Sequence, residues 1–399
     1  MAPQLRLLTF TTLFPNAAQP NHGIFVENRL RHLVAETGTE ATVLAPTWWF
    51  PSTNPRFGAW ASFAAVPRHE QRHGLAIHHP RALTMPKLGM YTAPYALYRA
   101  ARRELHRLIA QGQRFDAIDA HYLYPDGVAA LFLAREFRLP LAITARGSDV
   151  TELPDYALPR AQIRRAIAGA DALIAVSAGL KRRLVELGAP DEKVTVLRNG
   201  IDTTLFHPGP WPEITGRDAM RARLGLTGPT LISVGGLIPR KRHHLAIDAM
   251  ALLPGATLLI LGAGPEHAAL EARATQRGVS DRVRLLGPRP HAELPAYYAA
   301  ADLSILASSR EGWANVLLES MACGTPVVAS DIPGNPEVVQ RREAGVIVQH
   351  NTAEGIAAAV QDLLATPPDR AATRRYAEGF GWAETSAGQL ALFQRITGG

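Results

Sequence analysis

The sequence predicts an α/β protein of two doubly wound domains that face each other across a cleft. Three observations predict it. Short apolar runs, among them residues 5–11, 230–234 and 327–329, lack the regular polar alternation of a half-solvated strand and read as parallel strands buried on both faces. Stretches of helical apolar spacing separate them, giving the strand and helix alternation of a parallel sheet. The pattern restarts at Thr230 after an irregular, proline-bearing segment at 206–211, and 399 residues suit two domains of roughly 200 residues each.

Apolar residues make up 47% of the chain, which marks it as globular and not disordered. The single cysteine, Cys323, excludes an intrachain disulfide, argues against a cysteine-rich metal cage and favours a reducing cytosol. No apolar run reaches the roughly 18–20 residues of a membrane-spanning helix. The first residues read as a strand and not as a cleavable leader, so the expected location is cytoplasmic. The net charge of +7 lies wholly in residues 1–205, which hold 24 Lys and Arg against 17 Asp and Glu, whereas residues 206–399 hold 18 of each. Such a first half suits an anionic partner, for example the inner face of a membrane or a lipid-linked phosphate, and an arginine-rich solvated surface accounts for it equally. A nucleic-acid partner is not expected, because no recognition motif accompanies the charge.

Taken in order, residues 5–11 form the first strand, residues 15–23 a turn-rich loop ending at Gly23, and residues 24–36 a helix. Gly23 lets the backbone approach a ligand or a neighbour closely, or simply makes a turn. Residues 41–45 are the second strand. The aromatics Trp48, Trp49, Phe50, Phe57, Trp60 and Phe63 then crowd one loop, which either grips a hydrophobic acceptor or membrane interface or folds on its own rings. A helix over 94–110 has a core stripe at Leu97, Ala101, Leu105 and Leu108 and a basic remainder. A strand ends at His121, where ligands of open α/β sheets bind, although a hydrogen-bonded loop histidine is the plainer reading. A further strand leads into the polar loop that holds Arg146 and Asp149. In the second half a strand at 230–234 opens into the loop 235–243, a second strand at 257–261 into a Gly-Ala-Gly turn at 262–264, and three further apolar runs follow. The lone Gly-x-Gly is a poor dinucleotide fingerprint.

The most informative stretch is 307–339. It sets Glu311 and Glu319 at either end of a segment running from a loop into a helix, expected over 315–324 and stopped by Pro326. Gly312, Trp313, Ala314 and Asn315 thereby fall at a helix N-terminus, where N–H groups and the helix dipole suit an anion, most often phosphate.

These residues resemble glycosyltransferase family 4, a retaining family with the GT-B fold of two Rossmann-like domains. The segment 311–319, EGWANVLLE, matches the family's E-x7-E motif. AHYLYPDGVAA, TARGSD, VSAGLKRRL, RNGIDTTLF, VGGLIPRK, LGAGPE and MACGTPVVASDIPGNPEVV follow the family's blocks in the family's order. LFPN with GIFVEN is similar to bacterial surface-polysaccharide members of the teichuronic-acid type. The resemblance implies that Lys241 faces the leaving diphosphate, that Glu311 contacts the donor sugar, and that Glu319 accepts from the ribose hydroxyls. It implies that Gly312, Trp313, Ala314, Asn315, Val316 and Leu317 cradle the diphosphate and that Gly23 lies on the loop approaching the donor. It implies that His121 lies near the transferred sugar and that Arg146 and Asp149 belong to the acceptor side. The chain departs from the family at Gly236, where an arginine is usual; Arg240 is the nearest substitute. No cluster of histidines or carboxylates with metal-ligand spacing is visible, so neither metal nor other cofactor is expected.

The domains implied are 1–207 with a final helix from about 379 to 399 crossing back, for the acceptor, and 208–378 for the donor. The implied activity moves a sugar, from UDP-sugar first and GDP-sugar second, to a glycan or lipid-linked acceptor in bacterial polysaccharide synthesis. Two rivals share the residues: a sugar-nucleotide epimerase or hydrolase of the same fold, and an inactive sugar-nucleotide-binding partner.

Overall fold

The structure, a computed structural model, describes residues 4–84 and 89–398. Met1, Ala2 and Pro3, which open the segment read as a strand, and Gly399 lie outside the described residues. The chain divides into two compact units, residues 1–199 with 382–399 and residues 200–381.

The first unit is built on eight strands: β1 (Arg6–Phe10), β2 (Glu40–Leu44), β3 (His69–Arg72), β4 (Leu75–His78), β5 (Ala117–His121), β6 (Leu141–Ala145), β7 (Ala172–Ala175) and β8 (Val194–Val196). Their order across the sheet is β8-β7-β6-β5-β1-β2-β4-β3, and every neighbouring pair is parallel except β3 with β4. Strands β5, β6 and β7 are buried at every residue, as parallel strands covered on both faces must be. Helix α1 (Ile24–Thr37) starts at Gly23, whose φ is 70° and where a Cβ would fall 2.3 Å from the Leu13 carbonyl carbon. Close approach to a neighbour therefore explains this glycine. Helix α2 (Gly89–Ala110) begins one turn earlier than expected and keeps Pro94 inside. Proline has no N–H for the Met90 carbonyl four residues back, and the Tyr124 hydroxyl donates to that carbonyl instead. The aromatic loop folds on its own rings, with Phe50 5.2 Å from Phe57 and 5.7 Å from Trp60 between ring centroids, while Trp49 and Trp60 stay partly exposed.

The second unit holds β9 (Thr230–Val234), β10 (Thr257–Leu261), β11 (Val283–Gly287), β12 (Leu303–Leu306), β13 (Val327–Ser330) and β14 (Gly345–Val348), all parallel, in the order β11-β10-β9-β12-β13-β14. Helix α3 (His243–Met250) follows β9, and α4 (Asn315–Ala322) follows β12, ending two residues before the expected Gly324.

The unit boundaries fall at 199/200 and 381/382, not at 207/208 and 378/379. Residues 200–207 stay with the second unit because the Ile201 N–H donates to Phe380 O, Arg374 donates to the carbonyls of Thr203 and Phe206, and the Phe206 ring packs near His291 and Tyr298. Phe206, which opens the irregular segment 206–211, is thus a buried anchor, while Pro208 and Pro210 stay exposed. The last helix, α5 (Ala383–Thr397), lies along α1 in the first unit, where His32 stacks on Trp382 at 5.1 Å and Arg29 Nε donates to Gln389 at 3.0 Å.

Each sheet reverses its direction of growth once. In the first unit the chain passes from β1 outward through β2 and returns to β5 on the other side of β1; in the second it goes from β9 through β10 and β11 and returns to β12. The loops at the carboxyl ends of β1 and β5, and of β9 and β12, splay apart at these reversals and open a crevice suited to ligands.

The glycines after β9 and β10 lock the loop at the carboxyl end of β9 to the loop that follows β10. A Cβ at Gly262, φ 152°, would fall 1.8 Å from Gly235 O, and one at Gly264 would fall 2.3 Å from Leu237 O. A Cβ at Gly236 would meet nothing closer than 3.8 Å. Gly262→Ala is therefore expected to destabilise the protein by about 2–3 kcal/mol, whereas Gly236→Ala stays within about 0.5 kcal/mol. Denaturant midpoints of the two variants check this, and equal losses would contradict the packing account.

Candidate active site

In the second unit the reversal between β9 and β12 brings Lys241 and Glu311 together. Lys241 ends a short 3-10 turn, Pro239–Lys241, and Glu311 lies in the loop between β12 and α4. Lys241 Nζ is 2.6 Å from Glu311 Oε1, which also accepts from the Ser308 hydroxyl at 2.7 Å, and Arg240 lies 3.4 Å from Oε2. Burial pushes the Glu311 carboxyl up, but the charges of Lys241 and Arg240 and the hydrogen bonds outweigh it and hold the group below its ordinary range. Glu311 is thus an anion in a site with two cations, leaving a local excess of one positive charge. The loop is braced from below: Asn351 donates to Ala307 O, Ser330 to Ser308 O, and the Ser309 N–H to Arg240 O.

Eight residues on, Glu319 is buried on α4, where it accepts from the Tyr298 hydroxyl at 3.1 Å and lies 3.5 Å from His291 Nε2. Between the two carboxylates come Gly312, the buried Trp313 and Ala314, then Asn315, Val316 and Leu317 in the first turn of α4. The helix dipole at this end favours negative charge, while the Asn315 and Leu317 N–H groups donate to Trp313 O and Ala314 O. Gly236 has room for a side chain, and Arg240, not residue 236, supplies a guanidinium at Glu311.

In the first unit, β5 carries Asp119 and His121 two residues apart, and so on one face of the sheet. The His121 Nδ1 is 2.7 Å from an Arg146 NH2 group. Since a guanidinium only donates, Nδ1 accepts and the ring proton belongs to Nε2. That Nε2 lies 3.3 Å from Asp119 Oδ2 but off the line of a hydrogen bond. Burial, opposed by Asp119 and reinforced by Arg146, pushes the His121 pKa down to about 4, so the ring is neutral at pH 7. Arg146 also donates to Asn199 Oδ1 at 3.2 Å and lies over the Phe25 ring; burial lowers its pKa to about 9. Arg29, wholly buried, donates to Gln389 and to Leu197 O, and Gln389 in turn donates to Asp119 Oδ2 at 3.1 Å.

The loops around His121 are held by buried carboxylates. Asp149 accepts from the backbone N–H groups of Leu123, Arg146 and Gly147, so its oxygens are spent on the loop that carries Arg146. Asp126 accepts from Thr11 and Thr12 at the end of β1, and burial raises its pKa to about 7. Tyr122 has a φ of 80°, a region that non-glycine residues seldom adopt, and its N–H donates to Thr144 O while its hydroxyl meets Ser148 at 2.6 Å. A strained residue directly after His121 fits a loop shaped for a ligand.

Of the residues singled out in the sequence, Lys241, Arg240, Glu311 and residues 312–317 with Glu319 gather in the second unit. His121, Arg146 and Asp149 gather in the first, as does Gly23 against Leu13. Sequence reading missed Asp119, Arg29, Asn199 and Gln389. The Asp-Ala-His spacing at the end of a buried strand was a usable signal for Asp119, whereas the other three come from separate elements and leave none.

The fold has two domains, and comparison with known proteins makes the chain a glycosyltransferase. Residues 23–205 match the family described as Glycosyltransferase Family 4, and residues 217–380 match Glycosyl transferases group 1. The chain is 32% identical over 303 residues to a D-inositol 3-phosphate glycosyltransferase of Thermobispora bispora, covering 69% of each chain. Sucrose-phosphate synthase from Thermosynechococcus elongatus superposes with a TM-score of 0.80 at 22% identity, covering 98% of this chain and 99% of that one. The Anabaena protein HepE in complex with UDP-glucose gives 0.72 at 20% identity, covering 97% and 99%. The chain belongs to glycosyltransferase family 4 and has the GT-B fold.

The neutral His121 has a consequence for stability. Its folded pKa, about 4, lies below the value of 6.5 for an unperturbed histidine. The unfolded chain therefore binds more protons than the folded one between these values, and His121 contributes stability that is lost as pH falls from about 6.5 to about 4. In His121→Gln this loss should shrink. Urea unfolding at several pH values in that window checks it, and identical pH slopes in both proteins would refute a buried neutral His121.

Proposed function

We propose that this glycosyltransferase transfers a sugar, with retention of anomeric configuration, from a nucleotide-diphosphate sugar to a hydroxyl of a glycan or lipid-linked acceptor. UDP-sugar is the preferred donor and GDP-sugar the second. The observation that carries this reading is the Lys241, Arg240 and Glu311 cluster at the strand-order reversal, next to the first turn of α4. One excess positive charge beside a helix N-terminus suits the developing charge of a leaving diphosphate. Lys241 and Arg240 face the diphosphate, residues 312–317 cradle it, Glu311 meets the sugar, and Glu319, set by Tyr298, accepts from the ribose. Lys241 takes the part that a metal ion plays in other transferases, so we assign no metal and no other cofactor to the reaction.

On the acceptor side, the neutral His121 is a hydrogen-bond donor through Nε2 at pH 7, not a proton source, and Arg146 fixes that tautomer. The UDP-glucose bound to HepE favours a uridine donor. Relatives named for D-inositol 3-phosphate favour a second acceptor reading, a small phosphorylated polyol, which the basic first half also suits. We place the protein in the cytoplasm, in peripheral contact with the anionic inner face of the membrane. Among the described residues no helix is long and apolar enough to cross a membrane.

Incubation with UDP-glucose or GDP-mannose, with and without a lipid-linked glycan or inositol phosphate, followed by product analysis, tests the reaction. Release of nucleoside diphosphate only when acceptor is present supports transfer. Release without acceptor would point to the hydrolase of the same fold. Lys241→Ala should weaken nucleoside diphosphate binding by roughly 1.5–3 kcal/mol, about ten- to a hundredfold. Unchanged affinity in a titration would remove Lys241 from the diphosphate. Glu311→Gln should lower kcat far more than it weakens nucleoside diphosphate binding, and equal losses would contradict its sugar contact.

A further inference from the structure

Among the described residues, one group of three side chains of metal-binding type converges: His69, His78 and Glu104, with a ligand atom of each within 4.8 Å of the others. It lies in the first unit, its histidines on strands that β1 and β2 separate from His121 on β5. His69 and His78 are directly paired across the antiparallel β3 and β4, the hairpin that forms the edge of the sheet, and Glu104 comes from α2.

The distances suit a small ion. The two Nδ1 atoms are 2.9 Å apart, His78 Nδ1 is 2.9 Å from Glu104 Oε1, and His69 Nδ1 is 3.9 Å from the same oxygen. A tetrahedral ion with bonds of about 2.0–2.2 Å separates its ligand atoms by about 3.3 Å, so shifts of roughly half an ångström complete the triangle. A hydrogen bond between two imidazole nitrogens needs the N–H of one and the lone pair of the other on a common line. The two Nδ1 atoms therefore face one another, and since an ion about 2.0–2.2 Å from both must sit off the line between them, each ring turns toward Glu104 Oε1 to bind it.

The surroundings also fit. His78 and Glu104 are mostly buried, with side-chain exposures of 12% and 16%, while His69 is half exposed and leaves a way in and an open position for water. Arg107 donates through Nε to Glu104 Oε2 at 3.1 Å, the oxygen away from the histidines, and through NH2 to Oε1. The same NH2 group lies 3.4 Å from His78 Nδ1, so it swings away from both ligand atoms when an ion takes them, while the Nε contact can remain as an outer-shell hydrogen bond of the kind that orients carboxylate ligands. The adjacent His79 is no alternative, since its nitrogens are engaged by Ala45 O and Glu70.

We propose that His69, His78 and Glu104 form a binding site for a divalent transition-metal ion of the zinc class, tying the edge hairpin to α2. Two imidazoles and a carboxylate select zinc-like ions over calcium or magnesium. Binding to the folded chain alone raises its stability by mass action.

The test titrates zinc chloride into the full-length, tag-free, chelator-stripped protein by calorimetry, alongside melting curves. One saturable site per chain and a melting temperature that rises with zinc are expected. Both should be lost in His69→Asn, His78→Asn and Glu104→Gln and kept in His267→Asn, a surface histidine beside Glu271. If His78→Asn does not fold, the half-exposed His69 and Glu104→Gln carry the test. No saturable binding by the unmodified protein, or binding retained in both His69→Asn and Glu104→Gln, would overturn the proposal.

Discussion

The constraint on which the rest of the structure depends is the reversal of strand order in each parallel sheet. A parallel strand sends its carboxyl end to the same edge as its neighbours, and helices cover both faces, so that edge is where loops are free to vary. At the reversal the loops of two adjacent strands turn opposite ways and nothing fills the gap. Lys241 follows β9 and Glu311 follows β12; His121 ends β5 and Thr11 and Thr12 follow β1. Residues separated by 70 positions meet as an ion pair because the topology returns the chain to the centre of the sheet.

The two sites handle charge differently. Near His121 two arginines share one aspartate in a buried setting, and burial lowers the pKa of both guanidinium groups. Such groups are costly to bury and gain little stability over apolar replacements, so their value lies in specifying geometry. The geometry they specify is one tautomer: Arg146 occupies Nδ1, and Asp119, held by Gln389 from the last helix, stands beside Nε2. The last helix is therefore part of what sets the state of the histidine. Burial is the main reason the ring stays neutral, and Arg146, which an imidazolium would meet directly, adds to it.

Much of this was legible in the sequence. Unbroken apolar runs announced parallel strands, and the restart at Thr230 announced the second domain. Glu311 and Glu319 stood out at either end of one loop-to-helix stretch, whereas Lys241 and Arg240 could be named beforehand only through the family resemblance. What sequence did not show were partnerships between remote elements. Nothing around Arg29 in the sequence shows that Gln389, Leu197 and Asn199 enclose it. The segment 206–211 read as irregular because it bears prolines, yet Phe206 at its start is buried beside Tyr298 and His291. His69, His78 and Glu104 have no metal-ligand spacing in sequence; a hairpin register and a helix bring them together. The Gly-Ala-Gly turn proved to serve loop packing, since its missing side chains admit the backbone of Gly235 and Leu237.

The ion pair at the second reversal also explains how a cationic site can wait for an anion. Two uncompensated cations beside a helix N-terminus would repel each other and the dipole, and flexible lysine and arginine side chains would swing into solvent. Glu311 prevents this: it holds Lys241 at 2.6 Å, keeps Arg240 near, and is itself fixed by Ser308 on a loop tied down by Asn351 and Ser330. The carboxylate neutralises only one of the two charges, so the remaining positive field is available to a ligand and needs no rearrangement to appear. Preorganisation of this kind is what gives electrostatic stabilisation its effect, because the groups are already ordered when charge develops. The same carboxylate that steadies the cations also sets an acceptor oxygen beside them, so one residue fixes both the charge and the polarity of this loop cluster.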